Sequence, residues 1–193
     1  MPVDPIDIVR TRPEVWPAIE TIARANMADA DPQSRYGAQV MMAKMASAPP
    51  AIAYRAYGLM QQGVADSDPR VQQAALFSIG QIARQHPLMV PSIYHDLKRT
   101  LNSPDRDVGL TSLRICTVCS EAAPHLASLF RGHVEAAADY SQSPHVRDMA
   151  ARMLRETSSA PSETPAQPVL MQTPRGVVRT TGAVPTRKAA LGG

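Results

Sequence analysis

The chain has 193 residues, of which 44% are hydrophobic and only 4% are aromatic. This length suits one domain, or one domain with a tail, and the scarcity of aromatic residues argues against an all-β sandwich. The net charge of +3 lies entirely in residues 158–193, where Arg175, Arg179, Arg187 and Lys188 face the single acid Glu163. The rest of the chain is neutral, which argues against a broad basic surface for DNA.

Neither a membrane span nor a secretion signal is indicated by the sequence. The longest apolar runs have about four residues, far short of the roughly 20 that a membrane-spanning helix needs. The N-terminal segment carries acidic residues where a signal peptide has a basic end and an apolar run. We therefore expect a cytoplasmic protein.

After an N-terminal extension (residues 1–12), residues 13–157 have the pattern of successive helices without any strand-like alternation. Prolines stand where the first turn of a helix tolerates them, and small polar residues precede several of them as N-caps. The predicted N-caps are Asp31, Asp68, Ser103 and Ser143. The predicted helical segments are 13–28, 33–47, 50–65, 69–86, 90–102, 105–121, 124–140 and 144–156. Their short connections predict an all-α fold of antiparallel neighbours.

Residues 158–193 are rich in Pro, Ser, Thr, Ala and Gly and have no sustained apolar periodicity. Such a segment cannot bury enough surface to offset the entropy of ordering. We expect a basic, disordered tail.

The helical region contains an internal repeat with an offset of 37 residues between segments 68–87 and 105–124. Matching residues share their type: Asp68 with Asp105, Val71 with Val108, Leu76 with Leu113, and Pro87 with Pro124. A further copy begins near Val146. A repeat of this length predicts stacked helix pairs that share a continuous core.

This pattern resembles the HEAT repeat, particularly the short form found in phycobilin-lyase-like proteins. The residues that carry the resemblance are Asp-x-Asp-Pro-x-Val followed by Ala-Ala-Leu (66–76), the proline that closes the first helix, and Val146-Arg147. The resemblance implies a right-handed α-solenoid of about three and a half to four pairs. The chain departs from the family at Gln72 and Gly109, where the repeat usually has Arg or Lys.

Cys116 and Cys119, followed by two histidines, have a spacing that can suit zinc. The repeat aligns them with Ile79 and Ile82, which are core positions. Free cysteine behaves as a small hydrophobic residue in such places. We therefore interpret both as buried core residues and expect no metal and no cofactor.

Partner-binding candidates lie on the second helix of each pair and in the tail. Second helices line the concave side of arrays of this type, and the basic and aromatic groups there suit acidic peptides or phosphates. The candidates are Arg55, Tyr94, Lys98, Arg99, Arg131, Arg175, Arg179, Arg187 and Lys188. A plain solvated helix face would have the same composition.

The sequence favours a non-catalytic scaffold or adaptor subunit that binds protein partners within a larger assembly. No P-loop, dinucleotide-binding or metalloprotease motif is present, and no catalytic pairing arises from helical spacing. One alternative is a nucleic-acid-associated protein that uses the basic tail, and another is a HEAT-like lyase or DNA-repair enzyme subunit. The unpaired last helix predicts that the C-terminal end of the array, together with the tail, contacts the partner.

Overall fold

The computed structural model describes residues 5–159, which form nine α-helices connected by short turns. The helices are α1 (Pro5–Thr11), α2 (Trp16–Met27), α3 (Pro32–Lys44), α4 (Pro50–Val64), α5 (Pro69–Gln85), α6 (Val90–Leu101), α7 (Arg106–Ala122), α8 (Ala127–Tyr140) and α9 (Pro144–Ser159). Four single 3-10 turns adjoin them, at Pro13–Val15, Met45–Ser47, Pro87–Met89 and Pro124–Leu126. The prediction of an all-α fold is confirmed. The predicted disordered tail lies outside the described residues.

Two of the predicted N-caps hold the starts of α3 and α5. The Asp31 carboxylate accepts the backbone N–H of Gln33 at 2.9 Å, and that of Asp68 accepts the N–H of Arg70 at 2.8 Å. Each bond satisfies an amide that the helix itself leaves free, and a proline follows as the first helical residue. These two predictions are confirmed.

The start of α7 differs from the prediction. Asp105, not Ser103, is the N-cap, because its carboxylate accepts the amides of both Asp107 (3.0 Å) and Val108 (2.9 Å). The Ser103 hydroxyl accepts the Asp105 N–H at 3.2 Å. Pro104 therefore precedes the helix and is not in its first turn.

The predicted N-terminal extension contains a helix that the sequence pattern did not indicate. Helix α1 is seven residues long, too short for a clear apolar period. Its Val9 is fully buried in the same core as the later helices. This part of residues 1–12 thus belongs to the packed body.

The helices contact one another in two series. Helices α3, α5, α7 and α9 contact their neighbours in that order, and we call them the first row. Helices α2, α4, α6 and α8 do the same and form the second row. Helices adjacent in sequence also pack together, so each new helix is held by its own row and by the other.

Residues at equivalent repeat positions occupy equivalent places in the core. Leu76 and Leu113 are 0% and 1% exposed, as predicted. On the second row, Ile93 and Phe130 are also buried. Val146, which begins the further copy, is fully buried on α9. The repeat register is therefore confirmed at the positions that form the core.

Buried or partly buried hydrogen bonds between successive helices of the same row, or the turns that follow them, recur at sequence separations of 39 or 40 residues. Each joins a side chain to a backbone carbonyl: Ser78 to Gln39 (2.9 Å), His86 to Ala46 (2.9 Å), His133 to Tyr94 (3.1 Å) and Ser141 to Leu101 (3.0 Å). Paired buried polar groups of this kind fix the register of neighbouring helices.

Gly109 allows α7 and α9 to approach closely. A Cβ atom at this position would lie 2.5 Å from Cγ2 of Val146, a distance that no side chain tolerates without movement. This contact explains why position 109 has a glycine, since any side chain there would meet Val146.

Within residues 5–159, no helix combines the length and the hydropathy that crossing a bilayer would require.

Candidate protein-binding groove

A groove of about 780 Å³ crosses the first row of helices at α3, α5 and α7. Tyr36 and Val40 of α3, Phe77 of α5, and Ile115 and Val118 of α7 supply its large apolar side chains. Contacts of α5 with both α3 and α7 bring these three helix faces together. The groove is therefore assembled from residues about 80 positions apart in the chain.

Helical spacing explains which α5 residues face the groove. Arg70, Phe77 and Arg84 follow one another at intervals of seven, so they lie on one side of the helix. Small residues, including Ala74 and Gly80, line the surface between them. At Gly80 the missing side chain makes room for Ile115 of α7, whose Cδ1 lies close to where a Cβ atom would otherwise be.

The large side chains that α3 and α5 supply to the groove are exposed, whereas Ile115 and Val118 of α7 are buried. Phe77 is 58% exposed, whereas Leu76 beside it in sequence is fully buried. Tyr36 and Val40 are also among the exposed large hydrophobic residues. An aromatic ring and a β-branched side chain so placed cost free energy in water, and contiguous patches of this kind mark interaction surfaces.

The charge of the groove is positive. Arg70, Arg84 and Arg114 line it, and its lining includes no Asp or Glu. Arg70 forms a salt bridge with the N-cap Asp68 at 3.1 Å. Among the described residues, no carboxylate lies within ion-pair distance of Arg84 or Arg114, so both guanidinium groups remain available to a partner.

Two of the predicted partner-binding residues on the second row already have acidic partners. Arg55 of α4 forms an ion pair with Glu20 of α2, a carboxylate that is 6% exposed and that also accepts a bond from Arg24 at 2.7 Å. Arg131 pairs with Glu135 one turn along α8 at 3.0 Å. The first pair joins two helices, whereas the second is a solvated pair within one helix.

Tyr94 contributes to the packing between α6 and α8. Its ring stacks on that of His133 with centroids 4.0 Å apart, and its carbonyl accepts the Nε2 proton of this histidine. Burial lowers the pKa of His133, so the neutral ring is favoured. Tyr94 thus has a structural partner, and its half-buried edge is what remains for binding.

Lys98 and Arg99 are both exposed near the end of α6, and neither has a carboxylate partner among the described residues. Arg99 borders a smaller pocket of about 290 Å³ near the start of α7.

Asp96, on the same helix α6, accepts a hydrogen bond from the Tyr57 hydroxyl at 2.7 Å. Burial and the Asp96 carboxylate raise the pKa of Tyr57, which keeps the phenol protonated as the donor.

The remaining predicted site residues, Arg175, Arg179, Arg187 and Lys188, lie outside the described residues.

Cys116 and Cys119 are buried in the core as predicted, with exposed fractions of 1% and 0%. Burial raises the pKa of both thiols, that of Cys119 to about 12, so the thiolate form is disfavoured. Within residues 5–159, no group of three or more His, Cys, Asp and Glu side chains is placed to hold a metal ion.

The sequence-based prediction of partner-binding residues did not include the groove residues Tyr36, Phe77, Arg84 and Arg114. A charge count for each helix would have indicated α3 and α5, because these two helices contain basic residues and no acidic ones. It would not have indicated Arg114, because α7 also contains Asp107 and Glu121. Phe77 also stands beside the core stripe of α5 and not within it. An aromatic residue outside the core stripe is exposed to solvent, and exposed aromatic residues are enriched at binding surfaces.

Comparison with known protein families found no matching family, and comparison with curated proteins found no matching sequence.

Proposed function

We propose that this protein is a non-catalytic scaffold or adaptor subunit that binds protein partners through the groove of the first row. The observation that carries the proposal is the exposed apolar surface of Tyr36, Val40 and Phe77 within a groove of about 780 Å³. Surfaces of this composition bind other proteins because partner side chains exclude water from them.

The proposed architecture is a right-handed, HEAT-like α-solenoid. Its support is the ordered contact of helices within each row, together with hydrogen bonds within the rows that recur at 39 or 40 residues. Arrays of this type bind elongated partners, because each further helix pair adds one more strip of surface. In this architecture, the groove spans three consecutive helices of the first row, α3, α5 and α7.

The chemistry of the groove favours binding over catalysis. Its lining contains no Asp, Glu, His or Cys side chain, the groups that most often act as general bases or nucleophiles. Its serine, Ser78, donates to the carbonyls of Gln39 and Ala74 within the helix layers. The hydroxyl therefore has a structural role.

The tail supplies a second contact in this proposal. Arg175, Arg179, Arg187 and Lys188 follow α9 in sequence, and their charge suits acidic groups on a partner. Two linked contacts raise the effective concentration of the second and strengthen the whole complex.

Affinity isolation from the cells that make the protein tests the proposal. The full chain is compared with Phe77→Ser, with Leu88→Ser and with a chain that ends at residue 157. Leu88 is the matched control, because it is 96% exposed and does not line the groove.

We expect one defined set of proteins with the full chain and with Leu88→Ser, and reduced recovery with Phe77→Ser and with the shortened chain. Recovery should survive nuclease treatment. Equal recovery with all four chains, or recovery that nuclease abolishes, would contradict a protein-binding role for the groove and the tail.

A further inference from the structure

We infer that the groove receives an amphipathic, acidic helix of a partner protein. The inference rests on the proposed function, because it names the chemistry of the partner that the groove takes. Three independent features lead to it: the placement of the apolar side chains, the charge at the groove, and the composition of the rest of the chain.

The exposed apolar groups are spread over two neighbouring helices and are not concentrated in one deep hole. Tyr36 and Val40 come from α3 and Phe77 from α5, whereas Ile115 of α7 also lines the groove but is only 6% exposed. A partner must therefore present several apolar side chains along its length, and a helix does so at positions i, i+3 or i+4, and i+7. Addition of an extended peptide to a sheet edge requires a strand, and residues 5–159 contain none.

The charge of the groove selects the polar face of that helix. Arg84 and Arg114 are exposed beside the apolar groups and have no acidic partner among the described residues. Glutamate or aspartate on a docked helix can form charge-assisted hydrogen bonds with them. Arg70 contributes less, since Asp68 already neutralises it.

The protein's own segments do not complement the groove. Residues 158–193 contain four basic residues and one acidic residue, so the tail has the same sign of charge as the groove. No helix within residues 5–159 has more than one acidic residue in excess of its basic residues, which argues against a second copy as the occupant. The acidic helix must therefore come from another protein.

The probe is a labelled synthetic peptide of about 18 residues, about 27 Å long as a helix, with Leu and Phe on one face and Glu on the other. One control peptide has Lys in place of Glu, and a second has the same composition in scrambled order. Fluorescence anisotropy with the full-length chain measures the affinities at low and at high salt. We expect the Glu peptide to bind most tightly and to lose affinity as salt is added.

Matched variants locate the binding. Phe77→Ala should weaken binding about tenfold or more, since it removes a central aromatic anchor. Arg84→Glu should weaken it about three- to tenfold at low salt. Leu88→Ala and Arg99→Glu, an exposed apolar change and a charge reversal away from the groove, should leave the affinity within about twofold.

Each other outcome overturns the inference in a distinct way. Tighter binding of the Lys or the scrambled peptide, with the same dependence on Phe77, would refute the acidic helix and leave the protein-binding function standing. Binding of a single-stranded oligonucleotide that depends on Phe77, with no peptide binding, would replace protein by nucleic acid and refute both. Peptide binding that Arg99→Glu abolishes and Phe77→Ala does not would move the site to the second row.

Discussion

Replacement of Leu76 by Ala tests whether the repeat positions form one shared core. The side chain is fully buried on α5, the helix that contacts α3, α4, α6 and α7. Truncation removes three carbon atoms, whose transfer from water contributes about 0.8 kcal/mol each, or about 2.4 kcal/mol together. The cavity that remains adds to this loss, because helices on several sides limit the collapse of the site.

We therefore expect Leu76→Ala to lower the free energy of unfolding by about 3 to 5 kcal/mol, and Leu113→Ala to lower it by about 2 to 5 kcal/mol. Leu88→Ala is the control, because Leu88 is 96% exposed, and its effect should stay within about 0.5 kcal/mol. These free energies are measured by urea unfolding, followed by far-UV circular dichroism. When the m-value is unchanged, the shift in the midpoint urea concentration gives the change in stability.

A free energy of unfolding within about 0.5 kcal/mol of the parent for either core variant, the range of a surface change, would contradict a shared core. A large loss of unfolding free energy in Leu88→Ala together with a small loss in Leu76→Ala would mean that the buried and exposed faces are wrongly assigned.

Three further predictions concern backbone packing, thiols and pH. Gly109→Ala should destabilise the fold by about 1 to 2 kcal/mol in urea unfolding, because the new Cβ meets Val146 of α9. The control Gly132→Ala has open space around it and should stabilise the fold by up to about 1 kcal/mol. The same sign for both changes would contradict the close contact of α7 and α9. Cys116 and Cys119 should react with a thiol reagent at least about a hundredfold more slowly in the folded protein than in urea, because both thiols are buried. Metal analysis should find no stoichiometric zinc. One zinc per chain that is lost together with helicity would refute the assignment of both cysteines to the core. Burial lowers the pKa of His133 below its unfolded value of about 6.5, so the unfolded state binds more protons near and below that pH. The free energy of unfolding should therefore fall as the pH drops from about 7 to 5. An equal pH dependence in His133→Gln would exclude His133 as its cause.

The sequence predicted the core accurately because core positions must satisfy both helical period and repeat length. Leu76, Leu113 and the two cysteines were assigned by these two constraints together, and all four are buried. Helix ends depend on finer chemistry. The choice of Asp105 over Ser103 as N-cap follows from a carboxylate that reaches two amides, a contact that residue type alone does not determine.

The binding surface was harder to predict, because it depends on contacts between distant residues. The sequence made Arg55 a candidate for partner binding, but its ion-pair partner Glu20 lies 35 residues earlier, on a helix outside the repeat alignment. The groove joins residues of α3 and α7 through packing that no local pattern encodes. The signals visible in the sequence were the one-sided charge of α3 and α5 and the place of Phe77 beside the core stripe of α5.

Site-specific photo-cross-linking tests the central claim most directly, that partners bind the first row of helices. A photoreactive phenylalanine is placed at Phe77 in the groove or, as the matched control, at Tyr54 of α4 in the second row. The two side chains are similarly exposed, at 58% and 62%. After irradiation in the cells that make the protein, we expect a defined cross-linked partner from position 77 and none from position 54. A partner cross-linked from position 54 alone would contradict the account and assign binding to the second row.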